Sequence, residues 1–189
     1  MRDLSVALVH HPVLDGAGAI VTSAITNLDI HDLARSARTY GCARYVLVHP
    51  VAAQRELAAR IKEHWTTGSS SKRIPARKEA LALVDSVASL EELWTSFGGR
   101  DAVEVWVTAA KGAGDMLRFG DARTRLEGEG KPVVILFGTA WGMPRDVLDA
   151  ADARLEPIAA ITVDARGAYN HLSVRSACAI TLDRLRGGR

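Results

Sequence analysis

The chain has 189 residues, 48% hydrophobic and 24% charged, the balance of an ordinary soluble globular domain that needs no staples to bury a core. A net charge of +2 permits a nucleic-acid partner without arguing for one, because a local patch matters more than the sum. The two cysteines, Cys42 and Cys178, sit in apolar segments with no CxxC or Cys/His spacing, so they read as reduced core thiols and no metal site is expected.

In chain order, the start MRDLSVALVHHP has too short an apolar core for a signal peptide and reads as a first strand, Leu4 to Val9. No stretch approaches the ~20 apolar residues of a membrane helix, which points to a cytoplasmic protein with no membrane partner. A helix follows over Ile30 to Tyr40, with Asn27 or Asp29 as its cap and Gly41 as its stop. Tyr45 to Val48 is a second strand, and Val51 to Trp65 a helix with Leu57, Ile61 and Trp65 on one face. Thr66 to Lys78 (TTGSSSKRIPARK) is expected to be a flexible basic insertion in a single domain. Leu81 to Val84 is a third strand, and Ser89 to Phe97 a helix opened by a near capping box.

Val103 to Val107 and Val133 to Phe137 complete the strong strands, with Arg154 to Ile158 a weaker sixth. Short helices are expected over Asp121 to Glu127 and Pro144 to Ala150. The last helix starts near Ser173, and its apolar residues cover more than one face, which suggests packing against a second subunit. Apolar runs alternating with helices predict an α/β fold with a mostly parallel sheet flanked by helices.

Common nucleotide and hydrolase motifs are missing. Gly16-Ala17-Gly18 lacks the third glycine of a dinucleotide loop, and Gly112-Ala113-Gly114 does not fit either. Neither a phosphate-binding P-loop nor a GxSxG elbow occurs. Three segments remain at the carboxyl edge of expected strands, where open α/β sheets bind ligands: Thr26 to Arg38, Phe137 to Met143, and Glu156 to Ile158 with Tyr169 to Ser176. Two glycines four apart in the middle segment let a backbone approach a flat ligand, or serve only the turn. Ser173 is placed to cap the final helix, with Asn170 and Ser176 bonding the backbone of the loop before it.

The stretches VHHPVLD, TSAITNLDIHDLARSARTYG, VILFGTAWGM, LEPI and YNHLSVRSACAITLDRL together resemble the SPOUT superfamily of S-adenosylmethionine-dependent RNA methyltransferases, and within it a small bacterial RNA methyltransferase-like group. The resemblance implies a C-terminal deep trefoil knot (the alpha/beta knot), S-adenosylmethionine as cofactor, an RNA substrate (tRNA or rRNA) and a homodimer packed through the final helix and the one starting near Ile30. It places Leu136, Phe137, Gly138, Gly142 and Ile158 on one wall of the cofactor site, and Asn170, Leu172, Ser173 and Val174 on the other. Related families carry an Asn, an Arg six residues on, and a Gly six further. Arg35 and Gly41 keep that spacing, whereas Asp29 stands at the Asn position and Asn27 is two residues earlier.

Arg35 is therefore the leading catalytic candidate, followed by Asn27, Asp29 and His31. The competing readings are a helix ion pair for Arg35 and a cap for Asp29. Arg38, Lys72, Arg73 and Arg77 (with Lys78 beside them) are candidates for RNA contacts, or form a solvated basic surface. The Asp29 departure also keeps open a non-catalytic cofactor- or RNA-binding member of the same fold.

Overall fold

The structure, a computed structural model, describes residues 1–68, 70–108, 115–160 and 169–188. Gly112-Ala113-Gly114 lies outside the described residues. The strands are β1 (Leu4–Val9), β2 (Val13–Leu14), β3 (Ile20–Val21), β4 (Arg44–Val48), β5 (Val84–Val87), β6 (Glu104–Val107), β7 (Val133–Gly138) and β8 (Ala153–Arg154). The helices are α1 (Asn27–Thr39), α2 (Ala52–Thr66), α3 (Ser70–Arg73), α4 (Pro75–Ala82), α5 (Leu90–Thr95), α6 (Phe119–Glu127), α7 (Arg145–Asp149) and α8 (Val174–Arg186). No helix among the described residues is long and apolar enough to cross a membrane.

Six strands form one sheet in the order β5-β4-β1-β7-β6-β8, with every neighbouring pair parallel. The expected parallel α/β sheet is present, and its strands are buried on both faces for the reason their sequences implied. Leu4, Val6, Leu8, Ile135 and Phe137 face one core, shared with Ile30, Leu33 and Ala37 of α1 and Cys178, Leu182 and Leu185 of α8. Their alternates Ala7, Val9, Val134 and Leu136 face a second core, closed by Leu93 of α5 and by Val147 and Leu148 of α7. Both cysteines are buried and free, and burial pushes the Cys42 thiol up to about 12 and the Cys178 thiol up as well.

The topology fixes where a ligand can sit. From β1 the chain moves outward through β4 to β5, then crosses to β6, returns to β7 beside β1, and leaves outward to β8. Connections from the carboxyl ends of β1 and β7 therefore diverge to opposite sides, which opens a crevice between them.

Several expected elements are corrected. The cap of α1 is Thr26, not Asn27 or Asp29: Thr26 Oγ1 accepts from the Asp29 N–H at 3.1 Å, and the Asp29 carboxylate accepts from the Thr26 N–H at 3.2 Å. A Thr with an acid three positions on makes a reciprocal capping box, so the helix begins three residues before Ile30. Leu81 is not in a strand but in the last turn of α4, and the third strand runs from Val84 to Val87. Its register on β4, Tyr45 opposite Val84 and Val48 opposite Val87, buries Val84 and leaves Asp85 exposed. The Thr66 to Lys78 insertion carries α3 and the start of α4, with Pro75 at the first position of α4, where its missing N–H costs nothing. On α2 it is Ala58 that is buried, whereas Leu57 is exposed. A hairpin of β2 and β3, unforeseen from the sequence, pairs Val13 with Val21. At its tip the Asp15 carboxylate accepts from the N–H groups of Ala17 and Ala19.

Candidate functional site

Strands β4, β1 and β7 are neighbours in register, so the residues that follow them emerge side by side. They are His49, His10 and Thr139. Thr139 donates its hydroxyl to the Val9 carbonyl at 3.2 Å, and the Ser23 and Thr139 hydroxyls lie 2.5 Å apart. Because Thr139 has spent its proton on Val9, Ser23 must donate to Thr139, and His10 Nδ1 must donate to Ser23 at 2.9 Å. His10 Nε2 is then the bare nitrogen, and it is buried with no hydrogen-bond partner among the described residues. His49 Nδ1 accepts from the Val51 N–H, so its Nε2–H donates to the Ser23 carbonyl. This network ties the turn after β7 to the segment that leads into α1.

His10 is fully buried, and that desolvation, opposed by Asp29 and assisted by His49, lowers its pKa to about 4. The folded protein thus holds a neutral imidazole that the unfolded chain protonates near pH 6.5. Below pH 6.5 the unfolded state binds the extra proton, so stability falls as pH drops toward 4 and levels off below it. Urea titrations at pH 7, 5.5 and 4.5 should show a loss of up to about 1.4 kcal/mol per pH unit from this group, and His10→Gln should flatten that slope.

The turn after β7 is compact. A Cβ added at Gly138 would lie 2.9 Å from Met143 Cγ and 3.0 Å from the Met143 nitrogen, so only glycine lets the chain fold back there. Gly142 has φ +97, and among the described residues a Cβ on it would meet nothing within 4 Å, so the turn is open to them on that side. The turn and the hairpin exchange hydrogen bonds: Trp141 N–H donates to the Leu14 carbonyl at 3.1 Å, and Leu14 N–H to the Gly142 carbonyl at 2.9 Å. The Trp141 side chain is 73% exposed.

Leu136 and Phe137 are buried on opposite faces of β7 and act as core residues. Ile158, after β8, and Val174, at the start of α8, pack against the same core cluster that holds Phe137. Ser173 caps α8, its hydroxyl accepting from the Ser176 N–H at 3.1 Å. Asn170 is half-buried, Leu172 is exposed, and the rings of Tyr169 and His171 lie 5.1 Å apart.

The catalytic candidates divide. Asp29 is buried, engaged by Thr26, and approached by Arg175 of α8 at 3.4 Å; the same guanidinium reaches Asp32 at 3.4 Å. Asn27, His31 and Arg35 instead line a cavity of about 500 Å³ between α1, α2 and α4, together with Asp32, Arg60, His64, Trp65 and Arg77. Among the described residues Arg35 forms no ion pair, so the helix salt bridge that competed for it is not seen. Arg38 pairs with Glu79 at 2.9 Å, both exposed, an interaction worth about 0–1 kcal/mol. Lys72 and Arg73 are exposed on α3. The sequence pattern does not single out His10, Ser23, His49 or Thr139, although His10 and His49 directly follow apolar runs. Nor does it single out Arg60 and His64, although their spacing of four places them on one helix face.

A parallel sheet whose connections diverge at the carboxyl ends of β1 and β7, with polar residues following those strands, is the architecture of α/β domains that bind ligands at that edge. Over residues 3–187 the chain matches the family described as SAM-dependent RNA methyltransferase, and it belongs to that family. A protein of Oleidesulfovibrio alaskensis named tRNA (guanine-N(1)-)-methyltransferase is 41% identical over 188 residues, 98% of this chain and 42% of that protein. The chain thus spans about two-fifths of that curated relative. An uncharacterised protein of Aquifex aeolicus is 35% identical over 187 residues, 97% of this chain and 88% of that one. The crystal structure of a probable methyltransferase from Bordetella pertussis has the same fold, with a TM-score of 0.64 at 15% identity, covering 98% of this chain and 95% of that one.

Proposed function

We propose that the protein methylates a nucleotide of tRNA or rRNA in the cytoplasm, with S-adenosylmethionine held in a C-terminal trefoil knot and two copies forming a dimer through α8 and α1. The observation that carries this reading is the turn at Gly138 to Met143, closed on one side by Met143 and, among the described residues, open beside Gly142. Its backbone, with Ile158 and the loop from Asn170 to Val174, would hold the cofactor, a planar adenine suiting an apolar slot with a few fixed polar groups. The cofactor supplies a methyl group on a sulfonium, transferred by in-line displacement. The protein's part is alignment of the acceptor, with Arg35 the side chain best placed to hold a phosphate or an acceptor bearing developing charge.

The names of the relatives favour tRNA, but the match to the guanine-N1 enzymes leaves most of their length uncovered, so the nucleotide is not assigned from them. A binding-only member of the fold is the second reading, favoured by Asp29: it stands at the Asn position of the first motif, and its carboxylate is taken up by Thr26 and Arg175. Calorimetry with S-adenosylmethionine should give micromolar affinity, and mass spectrometry of nucleosides should find one methyl mark missing from a strain that lacks the protein. Cofactor binding with no missing mark selects the binding-only reading. No cofactor binding rejects both. Sedimentation at micromolar concentration should show a dimer.

A further inference from the structure

Outside the crevice, the most distinctive chemistry lies in the cavity between α1, α2 and α4. Trp65 of α2 is its hub. The Arg77 guanidinium lies over the Trp65 ring at 4.4 Å from its centroid, and the rings of His31 and His64 meet it edge-on at 5.6 and 5.4 Å. Arg35 enters from α1 and Arg60 from α2, one turn before His64. The lining therefore carries three arginines against one carboxylate, Asp32, which Arg175 already approaches. Among the described residues none of the three arginines forms an ion pair. Elsewhere on this surface arginines do find acids, as Arg38 does in Glu79, Arg44 in Asp85 and Arg100 in Asp152. Burial and then the nearby Arg77 and Arg35 charges, opposed by Asp32, lower the His31 pKa, so both arginines act on the same ring.

A concentration of unpaired guanidinium groups around an aromatic ring costs self-repulsion in the free protein. The cost is recovered when an anion with a flat group arrives. Arginine forks match phosphate oxygens bidentately, and a guanidinium held flat on an indole presents its outer face for a base to stack on. The cavity's volume, about 500 Å³, falls in the range of small-ligand pockets and so has room for one nucleotide.

We propose that this groove docks a nucleotide of the RNA next to the one that is methylated, with Arg60 and Arg35 on its phosphates and Arg77, backed by Trp65, under its base. The proposal rests on the RNA-methyltransferase reading for the identity of the ligand, but not on the cofactor pocket. It makes α2 and α4 part of the RNA surface, and it joins that surface to the candidate chemistry through Arg35, which lines the groove from α1.

The test uses the full chain and two probes, bulk tRNA and a labelled single-stranded oligouridylate of about a dozen nucleotides, followed by fluorescence anisotropy. The double variant Arg60→Gln with Arg77→Gln should bind both probes at least tenfold more weakly. Its slope of log affinity against log salt should shrink by about 0.7 for each phosphate of the single strand that an arginine no longer neutralises. Its thermal midpoint and its affinity for S-adenosylmethionine should match the parent protein. An unchanged RNA affinity and salt slope in the double variant overturns the proposal. So does a parent protein that binds the cofactor yet neither RNA, or one that prefers an acidic polypeptide to both RNAs. Loss of RNA binding in the variant supports the groove even where no methyl mark is found, which separates its failure from that of the enzymatic reading.

Discussion

Gly138→Val should abolish binding of S-adenosylmethionine, with calorimetric affinity falling more than tenfold, while Gly120→Ala leaves it unchanged. The contrast is geometric. At Gly138 a single Cβ already falls 2.9 Å from Met143 Cγ and 3.0 Å from the Met143 nitrogen. The first neighbour is flexible, but the second is backbone, so the turn itself must move. A branched side chain there forces Gly142 and Met143 away from β7 and spoils the backbone groups that the cofactor would meet. Overpacking of this kind also costs about 1–3 kcal/mol of stability, so the thermal midpoint should fall without the fold being lost. At Gly120, in the first turn of α6, an added Cβ meets nothing within 4 Å among the described residues, and alanine should be neutral or stabilising by about 0.5–1 kcal/mol. If Gly138→Val binds the cofactor as tightly as the parent does, the pocket lies elsewhere.

How much of the fold is legible in the sequence depends on how local each cause is. Strands β1, apolar but for Ser5, and β7 stand out as apolar runs because both faces are buried, and Ser173 stands out as a cap because its partner is three residues away. The misplaced strand at Leu81 has the same origin. LALV is one apolar run, but α4 takes its beginning and β5 its end, and β5 is an edge strand whose Asp85 and Ser86 hide it from a search for apolar runs. Strands β2 and β3 are two residues each, too short for any periodicity to register. Thr26 is hidden as a cap because Asn27 and Asp29 are equally good capping types, and only geometry distinguishes them.

The candidate site is legible in outline and hidden in its linkages. Strand ends alone mark the segments at the carboxyl edge. That Thr139 reaches Ser23 across a separation of 116 residues follows only from β1 and β7 being neighbours, a fact of topology. The groove joins residues 27–35 to residues 60–77 through three helices, and no spacing rule connects them.

Topology also changes how the first motif is read. Asp29 completes the capping box that Thr26 opens and is approached by Arg175 of α8, so it fastens the start of α1 to the start of α8. The same α8 opens at Ser173, on the proposed cofactor wall. Asp29 thereby has a structural reason to be acidic, and the proposed chemistry falls to its neighbours that line the groove.

Arg35→Ala should consequently lower single-turnover methyl transfer by about 10²- to 10³-fold, the usual loss when one preorganised charge donor is removed from a reacting site. Its stability should stay within about 0.5 kcal/mol of the parent, because Arg35 is exposed and forms no ion pair among the described residues. Asp29→Ala should reverse the pattern in stability: removing a buried cap partner and the acceptor for Arg175 should cost about 1–2 kcal/mol. The substrate for the assay is RNA from a strain lacking the protein, with methyl incorporation read from labelled S-adenosylmethionine. Arg35→Lys sharpens the assignment, since lysine keeps the charge but loses the planar fork. If the fork grips a phosphate, lysine should recover only a small part of the rate, and if only charge matters, most of it. Methyl transfer at the parent rate in Arg35→Ala would remove Arg35 from the chemistry and leave Asn27 and His31, its neighbours on the same wall of the groove, as the residues to change next.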